Sequence, residues 1–223
     1  SINELAAQLG DDQKPPLNPI TIERSDAVVY KRSVKSSGKE VNISAIVWSP
    51  ILKPLKEQLC YDQKVKSEMC AQAGVGNGHE NSGIENTEYV EQRATLNRLG
   101  KDKLMDDCLA DAMAYQGKAR GEISKQMQEA ILFAANPIDH TISPGQIRAE
   151  AVNRKEKAYP LVILTSSLGS KLGFDALDAL RKNDGQDEAA TRATVTRTVN
   201  IFMAANQLPI LQLADQTLVE AKE

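Results

Sequence analysis

The chain is poor in aromatic residues and has no long apolar run. Aromatic residues make up 4% of its 223 residues, too few to suggest the stacking platforms that bind single-stranded nucleic acid. No apolar stretch reaches the roughly 18 residues that a transmembrane helix needs. The first residues do not show the basic and then apolar pattern of a signal peptide. The sequence therefore shows no targeting signal. By default we expect the protein in the cytoplasm, or exported by a route that needs no signal.

The chain also lacks a strong excess of charge of one sign. Its net charge is -3, and lysine and arginine are scattered among aspartate and glutamate, so no basic patch for a nucleic-acid partner is indicated. The glycine-rich patterns that bind nucleotide phosphates, Gly-x-x-x-x-Gly-Lys-Ser/Thr and Gly-x-Gly-x-x-Gly, are missing. We expect neither a cofactor nor a metal.

The chain has few cysteines, and their spacing matches no motif of paired cysteines. Cys60, Cys70 and Cys108 are odd in number and include no Cys-x-x-Cys pair. This pattern indicates neither a disulfide framework nor a zinc site. Because free cysteines usually pack as small apolar side chains, the sequence predicts reduced, structural thiols.

Apolar periodicity predicts strands that alternate with helices. The predicted helices cover 2–9, 101–115 and 122–135, and the predicted strands cover 27–34, 41–48, 161–164 and 198–204. Such alternation is typical of a largely parallel sheet covered on both faces. Glycine and asparagine are concentrated between 73 and 86, which predicts a flexible surface loop.

The segment from Leu161 to Gly169 has the most specific pattern in the chain. An aliphatic run leads into Thr165-Ser166-Ser167-Leu168-Gly169, and an amphipathic helix follows. A nucleophile elbow places a serine in the sharp turn between a strand and a helix, with small residues two positions before and after it. Thr165 and Gly169 occupy those positions around Ser167. The alternative is that the serines only cap the helix.

Four segments carry a family resemblance. They are Ile46–Pro50, Leu104–Asp111, Leu164–Ser170 with Phe174–Leu177, and Met203–Pro209. Together they resemble bacterial α/β-hydrolase-fold proteins of the lipase and esterase type. The resemblance implies one α/β-hydrolase-like domain over 1–223, with a mostly parallel sheet and helices on both faces. The stretch 50–158, before the nucleophile strand, would be a mainly helical insertion that carries the flexible loop at 73–86.

The resemblance implies hydrolysis of carboxylic esters, with a small-molecule or lipid ester as substrate. Ser167 would attack the carbonyl carbon, a histidine would take the serine proton, and an acid would orient that histidine. The backbone amide of Leu168 would donate to the developing oxyanion. The alternative is a catalytically silent module of the same fold that binds a protein or a small ligand.

The expected partners of Ser167 depart from the family pattern. In this fold the acid and the histidine follow the serine, but His79 and His140 both precede it. One account is an internal section of a longer hydrolase, with the oxyanion loop before Ser1 and the acid and histidine after Glu223. A second account is a degenerate fold without catalysis. A third uses His140 as an unusual base.

Other candidate site residues have ordinary structural explanations. Asp215 follows the serine and is a weak candidate for the triad acid, although its helix-like surroundings favour an exposed side chain. Asp107 and Asp111 are four residues apart on a predicted helix, where either a solvated face or a buried acid bound by backbone amides is expected. His140 lies in a polar loop. Trp48, at a strand end, suits either an acyl pocket or the core.

Overall fold

A computed structural model of the chain describes residues 1–62, 70, 109–135, 160–182 and 188–216. The helices are α1 (Ile2–Gln8), α2 (Ser49–Lys56), α3 (Ala110–Gln116), α4 (Arg120–Ala134), α5 (Leu168–Lys182), α6 (Glu188–Arg197) and α7 (Leu208–Gln212). The strands are β1 (Ile20–Ile22), β2 (Ser25–Ser36), β3 (Lys39–Val47), β4 (Leu161–Ser166) and β5 (Thr198–Ala204). Short 3-10 helices cover Glu57–Asp62 and Leu213–Asp215.

Two predictions concern residues that the structure does not describe. The flexible loop at 73–86 lies outside the described residues, and so does most of the helical insertion predicted over 50–158. Among the helices in the described ranges, none is long and apolar enough to cross a membrane.

Strands β1, β2 and β3 form an antiparallel sheet in that order. β2 and β3 contain the β-branched residues that favour strands, and they pair without a register shift as far as Ser36 opposite Lys39. Ser37 and Gly38 have φ angles of 51° and 78°. Positive φ at both central positions is what a tight type I′ hairpin requires. The sheet is therefore built from hairpins.

Helix α1 packs against one face of this sheet. Ile2 and Ala6 of α1 form a buried cluster with Val34 of β2 and Ile43 of β3. The same face of β2 carries Arg32, which is 8% exposed. Its guanidinium pairs with a carboxylate in the segment after α1 at 2.8 Å, as a buried charge requires. The predicted amino-terminal helix is confirmed.

The carboxyl end of helix α4 is held by three side-chain donors. Lys31 of β2 donates to the carbonyl of residue 133 at 2.9 Å, and Ser44 of β3 donates to that of residue 134 at 2.8 Å. Arg197 of α6 donates to the carbonyl of residue 135 at 3.1 Å. These last carbonyls of the helix have no N–H donor within it, so they can accept hydrogen bonds from other elements. The cationic side chains are also favoured near the negative end of the helix dipole. Helix α4 therefore links the antiparallel sheet to α6.

Strands β4 and β5 form a separate, two-stranded parallel sheet. Parallel neighbours need a crossover connection, and here α5 and α6 lie between the two strands in the chain. Helix α5 packs against β4 and α6 packs against β5. The buried apolar side chains of α5 are Leu168, Leu172, Ala176, Leu177 and Leu180.

The predicted fold class, a mostly parallel α/β-hydrolase-like sheet with helices on both faces, is wrong. The described strands form a three-stranded antiparallel sheet and a two-stranded parallel one. Period-two alternation identified β2 and β3 as strands, but it does not specify the direction of their pairing. The turn at Ser37 and Gly38 decides it, because two residues can join only antiparallel neighbours. The strand at 161–164 was also predicted to be a central parallel strand; β4 does pair in parallel with β5, but β5 is its single neighbour among the described strands.

The chain divides into two compact units, Ser1–Ile51 with Gly121–Glu223, and Leu52–Arg120. The second unit contains a buried disulfide between Cys60 and Cys70, whose Cα atoms are 5.4 Å apart. The prediction of reduced thiols is therefore wrong for these two cysteines. Their ten-residue separation has no motif that marks it, because a disulfide depends on the Cα distance that the fold sets. The prediction of a single domain stays a prediction.

Candidate functional site

The turn between β4 and α5 has the geometry of a nucleophile elbow. β4 ends at Ser166 and α5 begins at Leu168, so Ser167 makes the turn, with φ of 54°. Its amide donates to the carbonyl of Ala204 at 2.9 Å, and its carbonyl accepts from the amide of Ser170 at 3.0 Å. A left-handed φ is uncommon for a residue with a Cβ and persists where surrounding structure holds it. The predicted strand, turn and helix around Ser167 are confirmed.

Two glycines allow α5 to approach its neighbours closely. A Cβ added at Gly173 would lie 3.3 Å from Cγ2 of Thr165, and one added at Gly169 would lie 3.4 Å from Nε1 of Trp48. Thr165 and Gly169 were both predicted as elbow positions, and each lies at one of these close contacts. Trp48 is half-buried beside the start of α5. Its role as a pocket residue stays a prediction.

A glutamine that the sequence analysis did not select contacts the serine side chain. Nε2 of Gln207 donates to Oγ of Ser167 at 2.9 Å. Gln207 follows β5, and the carboxyl ends of parallel neighbours lie at the same edge of a sheet. Ala205, the first residue after β5, has φ of 47°. Each of the two strands is therefore followed by a left-handed residue. The segment Met203–Pro209 carried part of the family resemblance but gave no chemical reason to choose Gln207.

Thr165 and Ser170 form a second polar contact beneath the turn. The hydroxyl of Thr165 donates to Oγ of Ser170 at 3.1 Å. Ser170 is fully buried, and a buried hydroxyl needs such a partner. This contact joins the end of β4 to the first turn of α5 and supports the conformation of Ser167 between them.

The start of helix α5 suits a developing negative charge. The first amides of a helix have no acceptor within it, and the helix dipole is positive at this end. Leu168, the predicted oxyanion donor, is the first residue of α5. Its side chain is buried, so only its backbone is available for such a role. The role of that amide as an oxyanion donor stays a prediction.

Lys171 forms a buried ion pair with two carboxylates. Its Nζ lies 2.9 Å from Oδ1 of Asp175 and 3.0 Å from Oδ2 of Asp215, and the lysine side chain is 3% exposed. Asp215 was a weak candidate for the triad acid. The structure instead places it against a lysine, where it ties the last described helix to α5. Opposite charges and hydrogen bonds compensate the cost of burying the ammonium group.

We expect the change Lys171→Ala to lower the free energy of unfolding by about 2 kcal/mol. It leaves two carboxylates close together without their cation; the loss is smaller than for a fully buried pair because water reaches part of Asp215. Urea denaturation measures it. The control is Lys182→Ala, whose exposed ammonium pairs with Asp178 and should cost at most about 0.5 kcal/mol. Equal losses of unfolding free energy in the two variants would show that the Lys171 contacts stabilise the fold no more than an exposed ion pair does.

At the control site, the ion pairs of Asp178 lower its pKa. The hydrogen bond from Lys182, followed by that from Arg181, holds the pKa of Asp178 below its ordinary value. A lowered carboxyl pKa stabilises the fold above the unfolded pKa, and that stabilisation is lost as the pH falls through the folded pKa. The comparison between Lys171 and Lys182 variants should therefore be made near neutral pH.

The other predicted candidates either lie outside the described residues or have a different partner. His140 and His79 lie outside the described residues, as does Asp107. Asp111 pairs with Lys56 at 3.1 Å within the Leu52–Arg120 unit. Over the described ranges, no group of three or more histidine, cysteine, aspartate or glutamate side chains could hold a metal ion.

Comparisons with known proteins found no matching family model, no matching curated protein and no matching solved structure. The geometry around Ser167 is therefore the basis for a functional assignment.

Proposed function

We propose that the chain acts as a serine hydrolase on carboxylic esters, with Ser167 as the nucleophile. The observation that carries the proposal is the left-handed Ser167, φ 54°, between strand β4 and helix α5. In a nucleophile elbow this conformation directs the serine side chain out of the turn between strand and helix, and Ser167 is half-buried here. The proposal concerns this strand, turn and helix only, and it does not depend on a hydrolase-type sheet.

The chemistry is a two-step acyl transfer. Oγ of Ser167 forms a bond to the ester carbonyl carbon while its proton passes to a general base, and that proton then leaves with the alcohol as the ester C–O bond breaks. Water hydrolyses the acyl-serine in the second step and releases the acid. Helix-start amides at Leu168 would stabilise the oxyanion in both steps.

The described neighbours of Ser167 do not supply the general base. Gln207 carries an amide, which does not titrate in the physiological range. The ammonium group of Lys171 already donates to the carboxylates of Asp175 and Asp215. The described ranges contain no histidine. The proposal therefore requires a base from another part of the protein.

Labelling by a fluorophosphonate tests the proposal directly. An activated serine oxygen displaces fluoride from phosphorus and keeps the phosphonyl group, whereas an ordinary hydroxyl reacts far more slowly. We expect mass spectrometry to find the added group on Ser167. Ser166→Ala, which removes the neighbouring exposed serine of β4, should still be labelled, and Ser167→Ala should not. Labelling elsewhere, or none, would contradict the proposal.

A second candidate function is a non-catalytic module that binds one amphipathic helix of a partner. The outer face of β4 and β5 exposes Val162, Leu164 and Phe202 to 49%, 57% and 58%, although parallel sheets usually have both faces covered. Strands of this length present a face about 20 Å long, which matches one helix rather than a stable dimer interface. No charged residue of β4 or β5 lies on it, so the contacting helix face would be apolar.

A further inference from the structure

We infer that Gln207 is a positioning residue for the nucleophile, an inference that rests on the proposed function. Its amide nitrogen donates to Oγ of Ser167 at 2.9 Å. The carbonyl of Ala204, three residues earlier, accepts the Ser167 amide at 2.9 Å. The segment that follows β5 therefore holds Ser167 by both its backbone and its side chain.

The contact fixes the direction of the reactive groups on the serine. A hydroxyl has one proton and two lone pairs. Donation from Gln207 occupies one lone pair, which leaves the proton for a base and the other lone pair for the acyl carbon. An amide keeps this orientation at every working pH because it does not titrate in that range.

The local structure makes Gln207 a rigid donor. The left-handed Ala205 turns the chain at the end of β5, and Oδ1 of Asn206 accepts the amide of Leu208 at 2.9 Å. That side-chain bond closes a local turn directly before α7. Gln207 itself is half-buried, so its side chain has restricted freedom. Because reacting groups must be held in near-attack geometry, such restriction contributes to rate.

The first test is Gln207→Leu in the complete chain. Leucine keeps much of the side-chain volume but removes the donor. We expect kcat for short acyl esters to fall about 10- to 100-fold, the range that small misplacements of catalytic groups cause. KM should stay within about threefold, because substrate binding is not affected. Gln212→Leu, an exposed glutamine on α7, is the matched control and should leave both constants unchanged.

The second test uses Gln207→Glu to separate positioning from a merely structural role. A carboxylate at this place would lie beside the nucleophile and would favour the protonated form of its general base. We expect the acidic limb of the pH profile of kcat/KM, which reports the pKa of that base, to move up by about one pH unit. Gln207→Leu should leave the limb in place. If Gln207 only stabilised the fold, the acidic limb would stay in place in both variants.

The outcomes separate this inference from the proposed function. If Ser167→Ala loses turnover while both Gln207 variants keep the wild-type kcat and pH profile, Gln207 does not position the serine, although the hydrolase proposal stands. If Ser167→Ala keeps turnover, or the wild type has none and takes no fluorophosphonate label, the proposed function fails and this inference fails with it.

Discussion

Replacing Ser167 by alanine is expected to lower kcat/KM for short acyl esters by about three orders of magnitude or more. Removing the nucleophile of a serine hydrolase leaves only the oxyanion contacts and substrate binding to accelerate the reaction. Release of a chromogenic alcohol from short acyl esters measures the turnover. Activity that is unchanged in this variant would exclude Ser167 as the nucleophile.

The stability of the same variant separates chemistry from folding. Alanine can adopt the left-handed φ at a similar cost to serine, and the change removes one hydrogen bond, with Gln207, which is worth about 1 kcal/mol. We therefore expect thermal unfolding to shift by only a few degrees. Ser166→Ala is the control for both measurements and should keep its activity. An absence of turnover in wild type and variant alike would favour the helix-binding module.

Reduction of the disulfide is expected to destabilise the Leu52–Arg120 unit by about 3 kcal/mol. Closing a ten-residue separation removes entropy from the unfolded chain, and loops of this order contribute about that amount. Cys60→Ala with Cys70→Ala should have the same effect as a reductant. Urea denaturation of the oxidised, reduced and double-variant proteins measures it, and the reductant should have no further effect on the double variant.

Thiol counting provides the control for this prediction. The chain has three cysteines and a disulfide joins two of them. In denaturant without reductant we expect one thiol to react, and after reduction we expect three. Cys108→Ser should lower each count by one and leave the effect of the reductant on stability unchanged. Three reactive thiols before reduction would contradict the Cys60–Cys70 bond.

Local patterns located several elements of the described chain, although they missed strand β1 and helix α6. Alternating apolar residues located β2 and β3, and the helical stripe located α4, because these periods follow from backbone geometry alone. The elbow was also visible in sequence, since a buried strand, a serine turn and a helix are local features. The pairing of strands was not visible in the sequence, and the family resemblance led to a mostly parallel sheet, whereas the described strands form an antiparallel sheet and a separate two-stranded parallel one.

The site shows the same division between local and distant information. The strand before Ser167, the turn at that residue and the helix after it were determined by the sequence from Leu161 to Leu180, since each depends on neighbouring residues. Only the tertiary structure placed Gln207 against Ser167 and Asp215 against Lys171. Those contacts join residues 40 and 44 positions apart. The tertiary structure also brought Cys60 within bonding distance of Cys70. Such distances depend on how elements pack, and no period or motif along the chain encodes them.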